Sequence, residues 1–114
     1  MMNAIKGESE VEIGGRLRVL KFGTNATALF CQLHGIGLGG FATVFSAENI
    51  TPATYRDLIY CALVSGARKS GSPVDFDKED VGDWIDELTE EKLTAIFDVF
   101  GASSAKGGEG KPQS

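Results

Sequence analysis

T-P-A-T-Y-R-D-L-I-Y-C-A-L-V-S-G-A-R-K, Thr51 to Lys69, is the stretch whose reading decides the fold of this 114-residue chain. Thr51 offers a hydroxyl to cap a first turn, and Pro52 stands where a helix tolerates proline. The residues that follow carry apolar side chains too densely for a single stripe: Leu58, Ile59, Tyr60, Ala62, Leu63 and Val64 point in nearly every direction around a helix. The spacing therefore predicts a buried central helix, which needs neighbours on several sides.

The N-terminal half supplies the first of them. Residues 1–8 carry little pattern beyond Ile5 and read as a flexible start. From Ser9, E-V-E-I and R-L-R-V alternate polar with apolar on either side of Gly14-Gly15, which is a hairpin signature. A two-residue loop would set Ile13 opposite Arg16 and Val11 opposite Arg18, mixing apolar and charged side chains on one face. A three-residue loop, Gly14 to Arg16, instead pairs Ile13 with Leu17, Val11 with Val19 and Glu12 with Arg18, and is preferred on that ground. It leaves Leu20 and Phe22 on the charged face, so a bulge near Leu20 is expected. After Gly23, Thr24 or Asn25 caps a helix to about His34 with a stripe of Ala26, Leu29, Phe30 and Leu33, closed by Gly35. Gly35 to Gly40 reads as a flexible connection. Phe41, Val44 and Phe45 then sit at helical spacing; a short helix is preferred over a strand there.

Beyond the central helix, two more helix starts repeat its pattern, in which the residue before the cap packs on the fourth helical residue. Ile50 matches Tyr55 around Thr51, Phe76 matches Val81 around Asp77, and Leu88 matches Leu93 around Thr89. Two stripes follow: Val81, Trp84, Ile85 and Leu88, then Leu93, Ile96, Phe97 and Phe100. Gly82, inside the first of these helices, allows a close backbone approach. Gly101 is expected to close the last helix, and residues 102–114, without an apolar side chain larger than alanine, read as a disordered tail. The fold class is α+β, mainly helical: an N-terminal β-hairpin followed by four to five helices around a buried central helix, as one domain over 9–101.

Charge and cysteines narrow the function classes. A net charge of −5 repels phosphate backbones and anionic membranes, and the cations look scattered, with no local basic patch; neither nucleic acid nor a membrane is expected as a partner. No apolar run spans a bilayer, and the first residues lack the apolar block of a secretion signal, so a cytoplasmic location is expected. Cys31 and Cys61 suit reduced core thiols better than a disulfide. Gly35, Gly37 and Gly40 spell G-x-G-x-x-G, but a helix rather than a strand precedes them, so no nucleotide cofactor is expected. Cys31 and His34 share a helix without enough further ligands for zinc, and no metal is expected. Neither a G-x-S-x-G elbow nor a third group to orient a Cys-His pair is present, so no catalytic residue is assigned. The acidic run from Asp75 to Glu91 reads as a solvated face that favours helix N-termini, and it lacks calcium-loop spacing. Ordinary core packing is the common fate of a stripe like that of the last helix. Its apolarity at the end of the domain also offers a partner surface, so Leu93, Ile96, Phe97 and Phe100, with Leu38, Phe41 and Phe45 of the Gly35–Phe45 segment, are the candidate partner-binding residues.

The order of parts resembles a known family. A short hairpin ending in K-F-G (Lys21 to Gly23), a first helix, the central R-D-L-I-Y-C-A-L-V (Arg56 to Val64) and the Trp-bearing acidic V-G-D-W-I-D-E-L (Val81 to Leu88) are similar to the tail assembly chaperones of long-tailed bacteriophages and related prophages. The likeness covers roughly residues 9–101 and is one of layout and character. It implies a non-enzymatic protein that keeps the tape measure protein soluble in the bacterial host cytoplasm, recruits tail tube subunits and leaves before the tail is finished. Members are often made in two lengths by ribosomal frameshifting, and a chaperone coating a long partner can form dimers or rings. The alternatives are a small structural or adaptor protein of a phage or other assembly, and a small cysteine-dependent enzyme using Cys31 or Cys61 with His34.

Overall fold

The computed structural model describes residues 8–45 and 49–108, with residues 101–108 as backbone only. Strands β1 (Glu8–Ile13) and β2 (Arg16–Lys21) form an antiparallel hairpin, followed by helices α1 (Thr24–His34), α2 (Leu38–Val44), α3 (Pro52–Ser70), α4 (Lys78–Asp86) and α5 (Glu90–Gly108). The mainly helical α+β class and the hairpin-then-helices order expected from the sequence are what the chain adopts. Expectations that fall on residues 1–7, Ile5 among them, lie outside the described residues.

The hairpin register corrects the preferred reading. Ile13 pairs with Arg16, Val11 with Arg18 and Ser9 with Leu20, across a two-residue loop in which Gly14 and Gly15 have φ of +66° and +83°. Two consecutive left-handed residues make the turn whose twist matches the strands, and the glycines take it without a Cβ penalty. The mixed face that argued against this register is accommodated because Arg18 behaves as a core residue. Its guanidinium lies 4.4 Å from the Trp84 ring and 5.3 Å from that of Phe76. Its Nε donates to the Ile13 carbonyl at 2.9 Å and its Nη2 to that of Gly14 at 3.3 Å. The stem thus packs while the charge keeps acceptors. Leu20 follows Arg18 on the same buried face, and Phe22 is buried just beyond the strand, so no bulge is needed; Leu17 faces outward, 61% exposed. Glu12 pairs across the ladder with Leu17 rather than Arg18 and meets Lys92 at 3.6 Å.

The cap of helix α1 is Gly23, one residue before Thr24 and two before Asn25, and its lack of a side chain leaves the first turn without a hydroxyl or carboxylate acceptor. Ala26 and Phe30 point inward, Leu29 is half-buried, and Leu33 is exposed, so the outer end of the expected stripe is wet. Gly35 closes the helix as predicted. The glycine-rich connection is shorter than expected, because α2 begins at Leu38 and takes in Gly39 and Gly40. This places Phe41 on Phe30 and on Phe45, with ring centroids 5.5 and 4.8 Å apart. α1 and α2 meet at 87°.

Helix α3 is the buried centre. Thr51 Oγ1 accepts the Thr54 N–H at 3.2 Å and Pro52 opens the helix; Leu58, Ile59, Cys61, Ala62, Leu63 and Val64 are all buried. α4 carries a reciprocal capping box in which Asp77 accepts from the Asp80 N–H at 2.9 Å and Asp80 from the Asp77 N–H at 3.0 Å. The Phe76–Val81 positions of its expected staple are both buried, whereas Ile50 is exposed, so the three starts are not equally sealed. Gly82 lets the Arg56 stem lie close, 3.3 Å from where a Cβ would stand. α4 ends at Asp86, and Leu88 completes its stripe from the following turn. Thr89 caps α5, accepting the Lys92 N–H at 3.1 Å. α5 does not close at Gly101: it continues through residues 102–108, which read from sequence as tail, since no proline interrupts that Ala- and Ser-rich run. Residues 109–114 lie outside the described residues.

Candidate protein-binding groove

The turn after β2, the helix pair α1–α2 and Phe100 of α5 enclose an open groove of about 930 Å³. Its floor is Leu58 of α3, and Phe22, Leu38, Phe41 and Phe100 stand around it. Gly23, Gly37, Ala26, Ala28 and Ala42 contribute small lining residues that permit close backbone approach, and the lining contains no charged side chain. Such a surface can bury apolar side chains, with the Thr24 and Thr27 hydroxyls and the Cys31 thiol as its polar side-chain groups. Leu38 is 75% exposed at its mouth.

The seven candidate binding residues divide. Leu38, Phe41 and Phe100 line this groove together. Phe45 stands behind it, against Phe30 at 5.2 Å and Phe100 at 5.4 Å. Ile96 is 2% exposed and belongs to the core, Leu93 is half-buried against it, and Phe97 meets Tyr55 edge-on at 5.8 Å. In this conformation Leu93 and Ile96 are committed to the core, while Phe97 stays half-buried beside Tyr55. Sequence reading missed Phe22 and Leu58 as groove walls. For Phe22 the signal was present as the parity conflict at the end of β2.

The reactive residue types are held in structural contacts. The Cys61 thiol is pushed up to about 12, first by burial and then by the negative charge of Asp57, which leaves it protonated and inert near neutrality. Cys31 lines the groove and directs its Sγ at the Gly37 carbonyl, 3.8 Å away. His34 does not turn to Cys31: its Nε2 lies 2.9 Å from Asp57 Oδ2, and its ring stacks on Phe30 at 4.2 Å. Asp57, 4% exposed, also accepts from Arg56 Nε at 2.9 Å. This His34–Asp57–Arg56 chain ties α1 to α3 and went unnoticed in the sequence, although an aspartate beside Leu58 and Ile59 marks a polar group that must be paired. The acidic run from Asp75 to Glu91 is exposed, as expected of a solvated face, and three of its members have local partners. Asp75 lies 3.5 Å from Arg16 and 3.7 Å from Arg18, while Asp77 and Asp80 cap α4. Burial, then the neighbouring Arg16, lower the Arg18 pKa, and Asp75 opposes that shift.

No group of three or more His, Cys, Asp or Glu side chains able to hold a metal occurs among the described residues. No single helix among them is long and apolar enough to cross a membrane. One charge reading is corrected. Lys21, Arg68 and Lys69, which look scattered along the chain, converge on one cleft, because the hairpin brings the end of β2 beside the last turn of α3. No protein-family model, no curated protein and no solved structure matches the chain.

Proposed function

We propose that this chain is a non-enzymatic phage or prophage tail assembly chaperone, whose α1–α2 groove holds an apolar helical stretch of the tape measure protein and which helps recruit tail tube subunits. The observation that carries the reading is the groove: uncharged, lined by Phe22, Leu38, Phe41 and Phe100, and open at Leu38. An amphipathic helix would place leucine-sized side chains between these rings, each contributing roughly 1.5–3 kcal/mol on burial. The small residues would let its backbone approach. The resemblance in layout to tail assembly chaperones supplies the identity of the partner, and the host cytoplasm is where such an encounter would take place.

Co-expression with a phage tape measure protein, a long helical partner, tests the reading. The long protein is expected to stay soluble and to co-purify, and Leu38→Asp, at an exposed position that does not support the core, is expected to lose both effects while the chaperone itself remains folded. Aggregation of the long protein despite the wild-type chain would exclude the chaperone role. Retention of an intact complex by Leu38→Asp would exclude the groove and favour an adaptor that binds elsewhere. Cys31→Ala is expected to leave solubilisation unchanged.

A further inference from the structure

A second cleft, of about 530 Å³, lies between α1 and α3 and shares only Ala28 with the apolar groove. Lys21, Arg68 and Lys69 stand around it, and Leu29 and Val64 give it an apolar wall. In an acidic chain this is a local concentration of positive charge. Glu8 already shows what it attracts, since its carboxylate bridges Lys21, at 3.8 Å, and Lys69. Three cations then face one carboxylate, and Arg68 has no acidic partner among the described residues.

Ser65 is the independent observation. It lines the same cleft, it is only 6% exposed, and its hydroxyl makes no hydrogen bond to any described residue. The other buried polar side chains are engaged: Thr54 with Thr51, and Asp57 with His34 and Arg56. A serine inside a helix ordinarily turns its hydroxyl back on the carbonyl four residues earlier, here that of Cys61; this one does not. Leaving a buried hydroxyl unpaired is costly and uncommon in native interiors. Asn25, also on the lining, lies in the first turn of α1, whose Gly23 cap supplies no side-chain acceptor, so the positive end of that helix adjoins the site.

We propose that this cleft binds a small oxyanion carried on an apolar body, a phosphate monoester or a carboxylate. Its head accepts hydrogen bonds from Arg68, Lys21, Lys69 and the Ser65 hydroxyl, and its body lies on Leu29 and Val64. The anion competes with the Glu8 carboxylate for the two lysines. The inference is independent of the chaperone reading.

Calorimetric and amide-shift titrations of the full chain at low salt, with phenyl phosphate, benzoate and inorganic phosphate as probes, test it. Saturable binding of phenyl phosphate or benzoate is expected, tighter than that of inorganic phosphate, and the better of the two heads identifies the ligand class. Arg68→Ala is expected to weaken it by ~10-fold or more and Ser65→Ala by ~3-fold or more, as charge-assisted hydrogen bonds are lost. Glu8→Gln is expected to tighten it by removing the resident competitor. Ser65→Ala deletes an unpartnered hydroxyl and is expected to fold at least as stably as wild type, so weakened binding in that variant cannot come from misfolding. Absence of saturable binding by both aromatic anions, or an affinity indifferent to both Arg68→Ala and Ser65→Ala, overturns the proposal.

Discussion

A Cβ placed on Gly66 would stand 1.9 Å from the carbonyl oxygen of Val19. The central helix therefore meets β2 at backbone distance, and that contact sets how deeply α3 sits against the hairpin. Gly66→Ala is expected to destabilise the protein by at least ~2–3 kcal/mol, because the obstacle is backbone that can yield only by moving the helix or the strand. Gly39→Ala is the control. It is a helical glycine with nothing within 4 Å of the added Cβ, and the exchange is expected to stabilise by ~0.5–1 kcal/mol. Urea unfolding of the two variants measures both signs, and equal effects would refute the close approach.

The Arg18–Trp84 contact predicts a second ranking. Arg18→Ala removes a guanidinium 4.4 Å from the indole and the donor to the Ile13 carbonyl, and is expected to cost ~2–3 kcal/mol. Arg18→Lys is expected to recover less than half of that, since an ammonium can neither lie flat on the ring nor reproduce the fork of donors. Asp75→Asn, at a side chain 55% exposed, is expected to change stability by less than ~1 kcal/mol. A lysine variant as stable as wild type would mean that charge alone, not planarity, holds the hairpin.

Periodicity made most of this architecture legible, and the same rule explains where it failed. Stripes at helical spacing located α1, α4 and α5, and the cap at Thr51 with Pro52 located α3. The hairpin register was misread because Arg18 was scored as a polar residue, when its stem and ring contacts make it part of the buried face. The cleft cations were missed because Lys21 and Arg68 are far apart in sequence and meet only through the packing of β2 on α3. Gly66 carried no local signal at all, since its reason lies in the Val19 carbonyl. Of the candidate groove, Leu38, Phe41 and Phe100 were legible as apolar residues on helical faces; that Leu93 and Ile96 turn inward depends on the roll of α5, which spacing leaves open.

His34 and Asp57 are expected to act as a unit across α1 and α3. Asp57→Ala is expected to cost ~2 kcal/mol or more, since both the imidazole and the Arg56 guanidinium lose their acceptor. His34→Ala leaves a buried carboxylate with Arg56 alone and also removes the stack on Phe30. A double-mutant cycle is expected to return a coupling of ~1–2 kcal/mol. Strict additivity would show that the two residues contribute separately.

The two thiols are expected to differ in both reactivity and linkage. Cys31, half-buried at the groove, is expected to alkylate in the native protein, whereas Cys61 is expected to react only after unfolding. Because the folded thiol at position 61 holds its proton up to about 12 and an unfolded thiol releases it near 9.0, the unfolded state binds fewer protons between those values. Stability must then fall as pH rises through that window, by up to ~1.4 kcal/mol per pH unit from this group, and be insensitive to it below. Tyrosines and lysines titrate in the same range, so the measurement is the difference between wild type and Cys61→Ala. The variant is expected to be less stable at pH 7, for want of the packed sulfur, and to lose less stability between pH 9 and 11. Parallel stability curves for the two proteins would show that Cys61 ionises as readily in the fold as outside it.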